Sequence, residues 1–283
     1  MVYLKLIRVK HYIKNLLVFA PLIFAGRLFE WSLTTKALAG FFAFSFVASI
    51  VYIINDINDL EDDKRHPIKK NRPLASGLIS ITNAKGLVIL LGFLSIGLNI
   101  LFNNTLYSWS ILFLYLIINI LYSYGLKSIP LVDISIIVLG FILRLVFGGI
   151  VTGIEISHWM ILTVISLSFY LALGKRRNEL KKNNDGARSV LKYYTENFLD
   201  KNMYMCLGLT NVFYALWSVS PSDILDNSNL VWTAPVVLLI CMKYSMNIER
   251  DSHGDPADVI FEDKMLLTLI LMYGISLVTL IYV

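Results

Sequence analysis

Long apolar runs, each broken by a short polar or charged stretch, recur from one end of the chain to the other. Nine lie near residues 15–29, 36–54, 81–101, 105–123, 131–150, 158–174, 203–220, 230–247 and 265–282. At about 15 to 22 residues, each has the length a helix needs to cross a hydrocarbon core roughly 30 Å thick, and a helix satisfies its backbone hydrogen bonds within one segment. The pattern predicts an all-α, polytopic membrane protein with nine transmembrane helices. Ahead of the first run, residues 3–14 set Leu4, Ile7 and Tyr12 against Lys5, Arg8, Lys10 and Lys14. Such an amphipathic segment is expected to lie along the membrane interface. The first run itself is short and carries Pro21.

Composition removes the soluble alternatives. Of 283 residues, 57% are hydrophobic and 16% charged, which is too apolar for an aqueous domain. Residues 1–283 are therefore expected to form one integral membrane domain in contact with the lipid bilayer, with no nucleic-acid partner and with self-association left open. Cys206 and Cys241 sit inside apolar runs without a CxxC or a nearby histidine, so neither a disulfide framework nor a zinc site is expected. The run from Leu16 to Phe29 lacks a small-residue cleavage site, and no cleavable signal peptide is expected. If nine spans alternate, all but three of the 25 Lys and Arg fall on one side; Arg27 and Lys36 lie opposite, and Arg144 lies within a span. The positive-inside rule then places the N-terminus in the cytoplasm and the C-terminus outside. The charged motifs converge on the cytoplasmic mouth.

Residues 55–72 carry the candidate chemistry, because five acids are followed at once by five bases. Within them, Asn55-Asp56-x-x-Asp59-x-x-x-Asp63 closes the second apolar run. At 100° per residue, Asp56, Asp59 and Asp63 fall within about 60° of one another if the helix continues past the membrane. Three like charges on one face repel unless a hard cation sits among them. Magnesium is commonly held in this way, by carboxylates together with substrate phosphates. The bland alternative is a solvated charged loop. Inside the fifth run, Arg144 carries a charge where burial is costly, and Asp133 lies eleven positions earlier and about 20° away around a helix. Arg144 reads equally as a contact to a substrate phosphate or as a structural partner.

The aspartate pattern after an apolar span resembles the first aspartate-rich motif of the UbiA superfamily, membrane-embedded transferases. That resemblance implies nine helices around a central cavity holding a magnesium-bound pyrophosphate. Most of that superfamily carries a second aspartate-rich motif after the sixth span. Here the position reads Gly174-Lys175-Arg176-Arg177-Asn178-Glu179-Leu180, then Ala187-Arg188-Ser189-Val190-Leu191-Lys192-Tyr193-Tyr194-Thr195, one glutamate among several cations. This run resembles the branch typified by decaprenyl-phosphate phosphoribosyltransferase. So do Arg8-x-x-His11-Tyr12-x-Lys14-Asn15, His66-Pro67-x-Lys69-x-x-Arg72-Pro73-x-Ala75-x-Gly77, Val132-Asp133-Ile134, and Gly140-Phe141-x-Leu143-Arg144 followed by Gly148-Gly149. Gly254-Asp255-Pro256 and Asp263-Lys264 are similar in a less specific way.

What the resemblance implies is magnesium-dependent transfer of 5-phosphoribose from phosphoribosyl pyrophosphate to a polyprenyl phosphate. Asp56, Asp59 and Asp63 would hold magnesium beside Asn55. Lys14, Lys69 and Arg72 would assist at the phosphates, and Lys127, paired with Tyr122 in a Tyr-x-x-x-x-Lys element, would reach a phosphate or merely snorkel. Lys175, Arg176, Arg188 and Lys192 form a second cationic patch assigned to the 5-phosphate. Glu179 would orient a cation, hold ribose hydroxyls, take a metal-bound water, or form a plain salt bridge. Gly148, Gly149 and Gly153 are expected to permit close helix packing. Two alternatives stand beside this one. The first is a prenyl-diphosphate transferase, in which Glu179, or Asp255 and Asp263, replaces the second acidic cluster. The second is a transporter with a cation-binding mouth, which the lack of an internal repeat and of several deep charges disfavours.

Overall fold

A computed structural model describes residues 2–67, 69–181, 189–220, 228–249 and 256–283. Among these residues the regular structure is helical throughout, with no strand. In chain order the α-helices are α1 (Val2–Leu6), α2 (Ala20–Phe24), α3 (Trp31–Asn58), α4 (Leu60–Arg65), α5 (Ile81–Phe102), α6 (Leu106–Tyr124), α7 (Val132–Thr152), α8 (His158–Lys181), α9 (Glu196–Val219), α10 (Ala234–Glu249), α11 (Pro256–Glu262) and α12 (Lys264–Tyr282). Short 3₁₀ turns join several of them. Among the described residues, seven stretches are long and apolar enough to cross a membrane: α3, α5, α6, α7, α8, α12, and Asn229–Glu249, which runs from a 3₁₀ turn into α10.

Two of the nine expected spans depart from that description. The first, near 15–29, is a 3₁₀ helix over Val9–Phe19 that passes into α2. The change of helix type falls beside Pro21, which has no N–H to donate backward and is tolerated in a first helical turn. The other, near 203–220, lies within α9, a 24-residue helix. Thr195 sets its start by accepting a hydrogen bond from the Phe198 N–H at 3.2 Å. Asp200, Lys201, Asn202 and Asn211 make it less apolar than its neighbours.

The chain divides into two compact units, one of Met1–Leu22, Leu28–Lys127 and Leu143–Ile154, the other of Ile23–Arg27, Ser128–Ile142 and Glu155–Val283. In the first unit, the N-terminal segment runs antiparallel to α3. Arg8 meets Asp56, Tyr12 meets Ser49, Asn15 meets Ser45, and the Phe19 and Phe41 rings lie 5.8 Å apart. The amphipathic stretch expected at the interface therefore spends residues 8–15 against a helix. Leu6, Ile50, Ile53, Leu74, Ile79, Ala84 and Leu91 fill the core beside it.

In the second unit α9 runs antiparallel to α8, with Arg177 paired to Asp200 near one end and Trp159 stacked at 6.2 Å on Phe213 toward the other. Tyr170, Leu199, Met203, Tyr244 and Ile248 centre its core. Gly174 packs closely there: a Cβ at that position would stand 2.5 Å from Ile248 Cδ1, so the Ile248 side chain would have to shift to admit one. Cys206 and Cys241 are buried free thiols.

Candidate active site

In the first unit, the helix that carries the aspartates breaks at the middle one. Asp59 has φ −90° and ψ 10°, which ends α3 and opens α4, so the single helical face expected from the spacing is interrupted. The chain still turns in register, since Asp59 N–H donates to Asn55 O at 2.9 Å and Asp63 N–H to Asp59 O at 2.8 Å. The break gives the three carboxylates different surroundings. Asp56 and Asp63 are 3% and 2% exposed, whereas the Asp59 side chain is 37% exposed.

Each carboxylate meets a cation. Arg8 Nη2 donates to Asp56 Oδ1 at 2.6 Å, and a single nitrogen, Arg72 Nη1, donates to Asp56 Oδ1 at 3.1 Å and to Asp63 Oδ2 at 2.5 Å. Lys127 Nζ reaches Asp59 Oδ1 at 3.2 Å. Buried carboxylates are tolerated only when paired in this way. Asn55 Oδ1 accepts from Ser123 Oγ, which ties the motif to α6. Lys14 Nζ lies 3.3 Å from His11 Nδ1. Lys69 begins a 3₁₀ turn and donates its backbone N–H to His66 Nδ1 at 3.3 Å. Burial, and then the Lys69 cation, hold the His66 imidazole below its usual range. Tyr122 lies in the last turn of α6, where its carbonyl accepts from Gly125 N–H at 3.5 Å.

Among the described residues, no group of three or more His, Cys, Asp or Glu converges as a ready-made metal cage. The donor chemistry nonetheless fits a hard divalent ion. Asp56 and Asp63 offer oxygen ligands close enough to share one guanidinium nitrogen, and magnesium characteristically takes one or two carboxylates and completes its shell with substrate phosphates and water.

The second unit holds a separate network. Asp133 at the start of α7 and Arg176 on α8 are both fully buried; Arg176 Nε donates to Asp133 Oδ2 at 2.6 Å and Nη1 donates to Glu179 Oε2 at 2.7 Å. Tyr194 donates to Asp133 Oδ1 at 2.6 Å and accepts from the Leu131 N–H at 2.7 Å. Burial, reinforced by the hydrogen bond to Asp133, pushes the Tyr194 phenol up to about 12. Glu179 is thus salt-bridged to Arg176 at i,i+3. Arg177 pairs with Asp200 and, at 3.3 Å, with Glu196. Lys175 is partly buried on α8, and Lys192 Nζ lies 5.0 Å from the centre of the Tyr193 ring. Arg188, Lys182, His253 and Asp255 lie outside the described residues. Asp263 caps α12 by accepting from Leu266 N–H at 2.8 Å and pairs with Lys243 at 2.8 Å.

A profile of the UbiA prenyltransferase family matches residues 16–270. The chain belongs to this family. As a UbiA-family enzyme it is an integral membrane protein of all-α fold. It is 30% identical to the decaprenyl-phosphate phosphoribosyltransferase of Corynebacterium glutamicum over 287 residues, covering 99% of this chain and 86% of that one. The enzyme of the same name from Mycolicibacterium smegmatis is 30% identical over 285 residues, with 95% and 89% covered. Among solved structures, a UbiA homolog from Archaeoglobus fulgidus bound to GPP and Mg2+ matches with a TM-score of 0.74 at 18% identity, covering 99% of this chain and 100% of that one. That last likeness concerns the fold.

Within the UbiA frame, the acidic pattern led to Asp56, Asp59 and Asp63, and the structure pairs Arg72 and Lys127, which the sequence assigned to phosphates, with these carboxylates. Arg144 lies on the C-terminal half of α7, in the first unit. Its Nε donates to Asn15 Oδ1 at 2.6 Å and its Nη2 to Tyr115 OH at 3.0 Å, and its guanidinium carbon lies 5.0 Å from the Phe44 and Tyr115 ring centres. It is 5% exposed and carries these structural pairings, while Asp133 turns to Arg176. Sequence reasoning passed over Arg8, Asn15, Ser123 and Tyr194 as site residues. Arg8 and Asn15 carried a signal through the N-terminal motif, and Tyr194 through the run at 187–195.

Proposed function

We propose that this enzyme transfers 5-phosphoribose from phosphoribosyl pyrophosphate to a polyprenyl phosphate and releases pyrophosphate, with magnesium as cofactor. The observation that carries the reading is the near-full-length similarity, about 30% identity, to two enzymes named decaprenyl-phosphate phosphoribosyltransferase. The GPP-bound relative shares only 18%. The residues support it chemically. Asp56, Asp63 and the more exposed Asp59 would hold the metal, which when bound neutralises charge developing on the leaving pyrophosphate. Arg72, Lys69, Lys14 and Lys127 offer cationic donors to the phosphate oxygens, Arg72 with a planar fork suited to bidentate contact. Lys175 and Lys192, with Arg188, are assigned to the 5-phosphate, while Arg176 holds Glu179 for a ribose hydroxyl. The acceptor phosphate is already an anion at neutral pH, so positioning and electrostatics rather than proton transfer should dominate. We place this chemistry on the cytoplasmic side, following the distribution of Lys and Arg.

The test is to incubate purified protein in detergent or liposomes with Mg2+, labelled phosphoribosyl pyrophosphate and a polyprenyl phosphate, and to extract lipid. A lipid-linked phosphoribose is the expected product. Failure to form it, together with turnover of a prenyl diphosphate and an aromatic acceptor, would overturn the proposal in favour of prenyl transfer.

A further inference from the structure

The N-terminal segment reaches the acidic cluster through one residue in an unusual conformation. Arg8 has φ 54° and ψ 51°, a left-handed backbone that non-glycine residues rarely adopt and that recurs at functional sites. The kink ends α1 and aims the side chain back along α3, 48 residues away in sequence. There the guanidinium lies over the Tyr52 ring at 4.8 Å while Nη2 donates to Asp56 at 2.6 Å. Tyr52 and Asp56 stand one helical turn apart on α3, so ring and carboxylate fix both the plane and the edge of the same group. The segment is fastened independently one turn further along, where Ser49 Oγ donates to Ile7 O at 2.9 Å and contacts Tyr12 OH at 3.0 Å. With that second fastening in place, the Arg8 side chain is not needed merely to dock the segment.

We infer that Arg8 is a positioning residue: it sets the orientation of the Asp56 carboxylate toward a divalent ion carrying pyrophosphate. Arg72 is shared between Asp56 and Asp63 and cannot fix Asp56 alone; Arg8 supplies the second direction. The inference rests on the proposed function only as far as a metal-bound pyrophosphate, which is common to both donor readings.

Glycine adopts a left-handed backbone without strain, so Arg8→Gly deletes the guanidinium and keeps the kink. The measurement is binding of Mn2+ with inorganic pyrophosphate to the full-length protein, read by the electron paramagnetic resonance of the ion, with thermal unfolding alongside. Loss of a hydrogen bond to a charged group corresponds to about tenfold weaker binding, and Arg8→Gly is expected to show that loss. Arg8→Lys keeps the charge but not the planar fork, and is expected to weaken binding severalfold. Ser49→Ala, which loosens the docking but leaves Arg8, is expected to lower the unfolding temperature and hold affinity within about twofold. Wild-type affinity in Arg8→Gly, or an equal loss in Ser49→Ala, would overturn the inference. Should the glycine variant fail to accumulate, the lysine variant decides, since wild-type affinity there also overturns it. If phosphoribosyl transfer were absent yet Arg8→Gly still weakened Mn2+ and pyrophosphate, the donor assignment would fail and the role of Arg8 would stand.

Discussion

At the scale of single residues, the strongest commitment of the chain is the buried pair of Asp133 and Arg176. Both are 0% exposed, and removing one partner of such a pair leaves an uncompensated charge at a cost of about 3–5 kcal/mol. Asp133→Ala is therefore expected to lose about that much stability in detergent unfolding, while the double variant Asp133→Ala, Arg176→Met regains part of it. A double variant as unstable as the single would show that charge burial is not the cause. Tyr194 gives the pH counterpart. Its folded value, about 12, lies above the ordinary 10.0, so its contribution is fully present below pH 10 and is lost as pH rises between 10 and 12. Difference titration of wild type against Tyr194→Phe in the tyrosinate band should place the extra ionisation in that window, and a midpoint at pH 10 would refute the coupling to Asp133. These residues also show where sequence reading stops. Asp56, Asp59 and Asp63 were legible because acids at the end of an apolar run are conspicuous. The partners of Arg144 were not, because Asn15 and Tyr115 are uncharged and lie 129 and 29 positions away, whereas the charge-based reading turned to Asp133.

At the scale of elements, apolar runs pointed to nine spans, seven of which are helices long and apolar enough to cross among the described residues, and the helix type of the first, which the runs did not show, has a geometric cause. Moving from Asp56 to Phe41 along α3 covers fifteen residues, or about 22 Å at the α-helical rise. The opposing path from Arg8 to Phe19 has only eleven residues, which reach about 22 Å at the rise of a 3₁₀ helix and about 16 Å at that of an α-helix. The tighter, longer helix type thus lets a short segment keep pace with α3. Propensity and hydropathy contain no term for such a match. Close approach is the other hidden requirement. A Cβ on Gly148 would stand 2.2 Å from Val18 O, a backbone atom that cannot rotate away, whereas a Cβ on Gly92 meets nothing within 4 Å. Gly148→Ala is expected to cost at least about 1–3 kcal/mol through overpacking, and Gly92→Ala to stabilise by about 0.5–1 kcal/mol through helix propensity. Equal unfolding temperatures for the two variants would remove the packing argument.

At the scale of the whole molecule, the question is which end of each helix faces which side, and the contacts of the N-terminal segment constrain it. If α3 crosses the bilayer and Val9–Phe24 did not, Arg8 and Asp56 would lie on opposite sides and could not be 2.6 Å apart. Crossing by that broken helix is therefore required by the ion pair, in line with its apolar run, although neither of its two helical pieces is long enough to cross alone. The antiparallel course of α9 along α8, fixed by Arg177 with Asp200 and Trp159 with Phe213, makes the same demand of a helix too polar to be counted. With the excess of Lys and Arg held inside, Val2 and Asp62 should lie in the cytoplasm and Glu30 and Val283 outside. Single cysteines at these four positions, introduced after the buried Cys206 and Cys241 are replaced by serine, can be labelled in intact cells with a reagent that does not cross membranes. The expected outcome is modification at Glu30 and Val283 without lysis, and at Val2 and Asp62 only after it. If Glu30 and Asp62 were modified from the same side, α3 would not separate them. The acidic cluster would then lose the topology that presents it to a cytoplasmic phosphate donor.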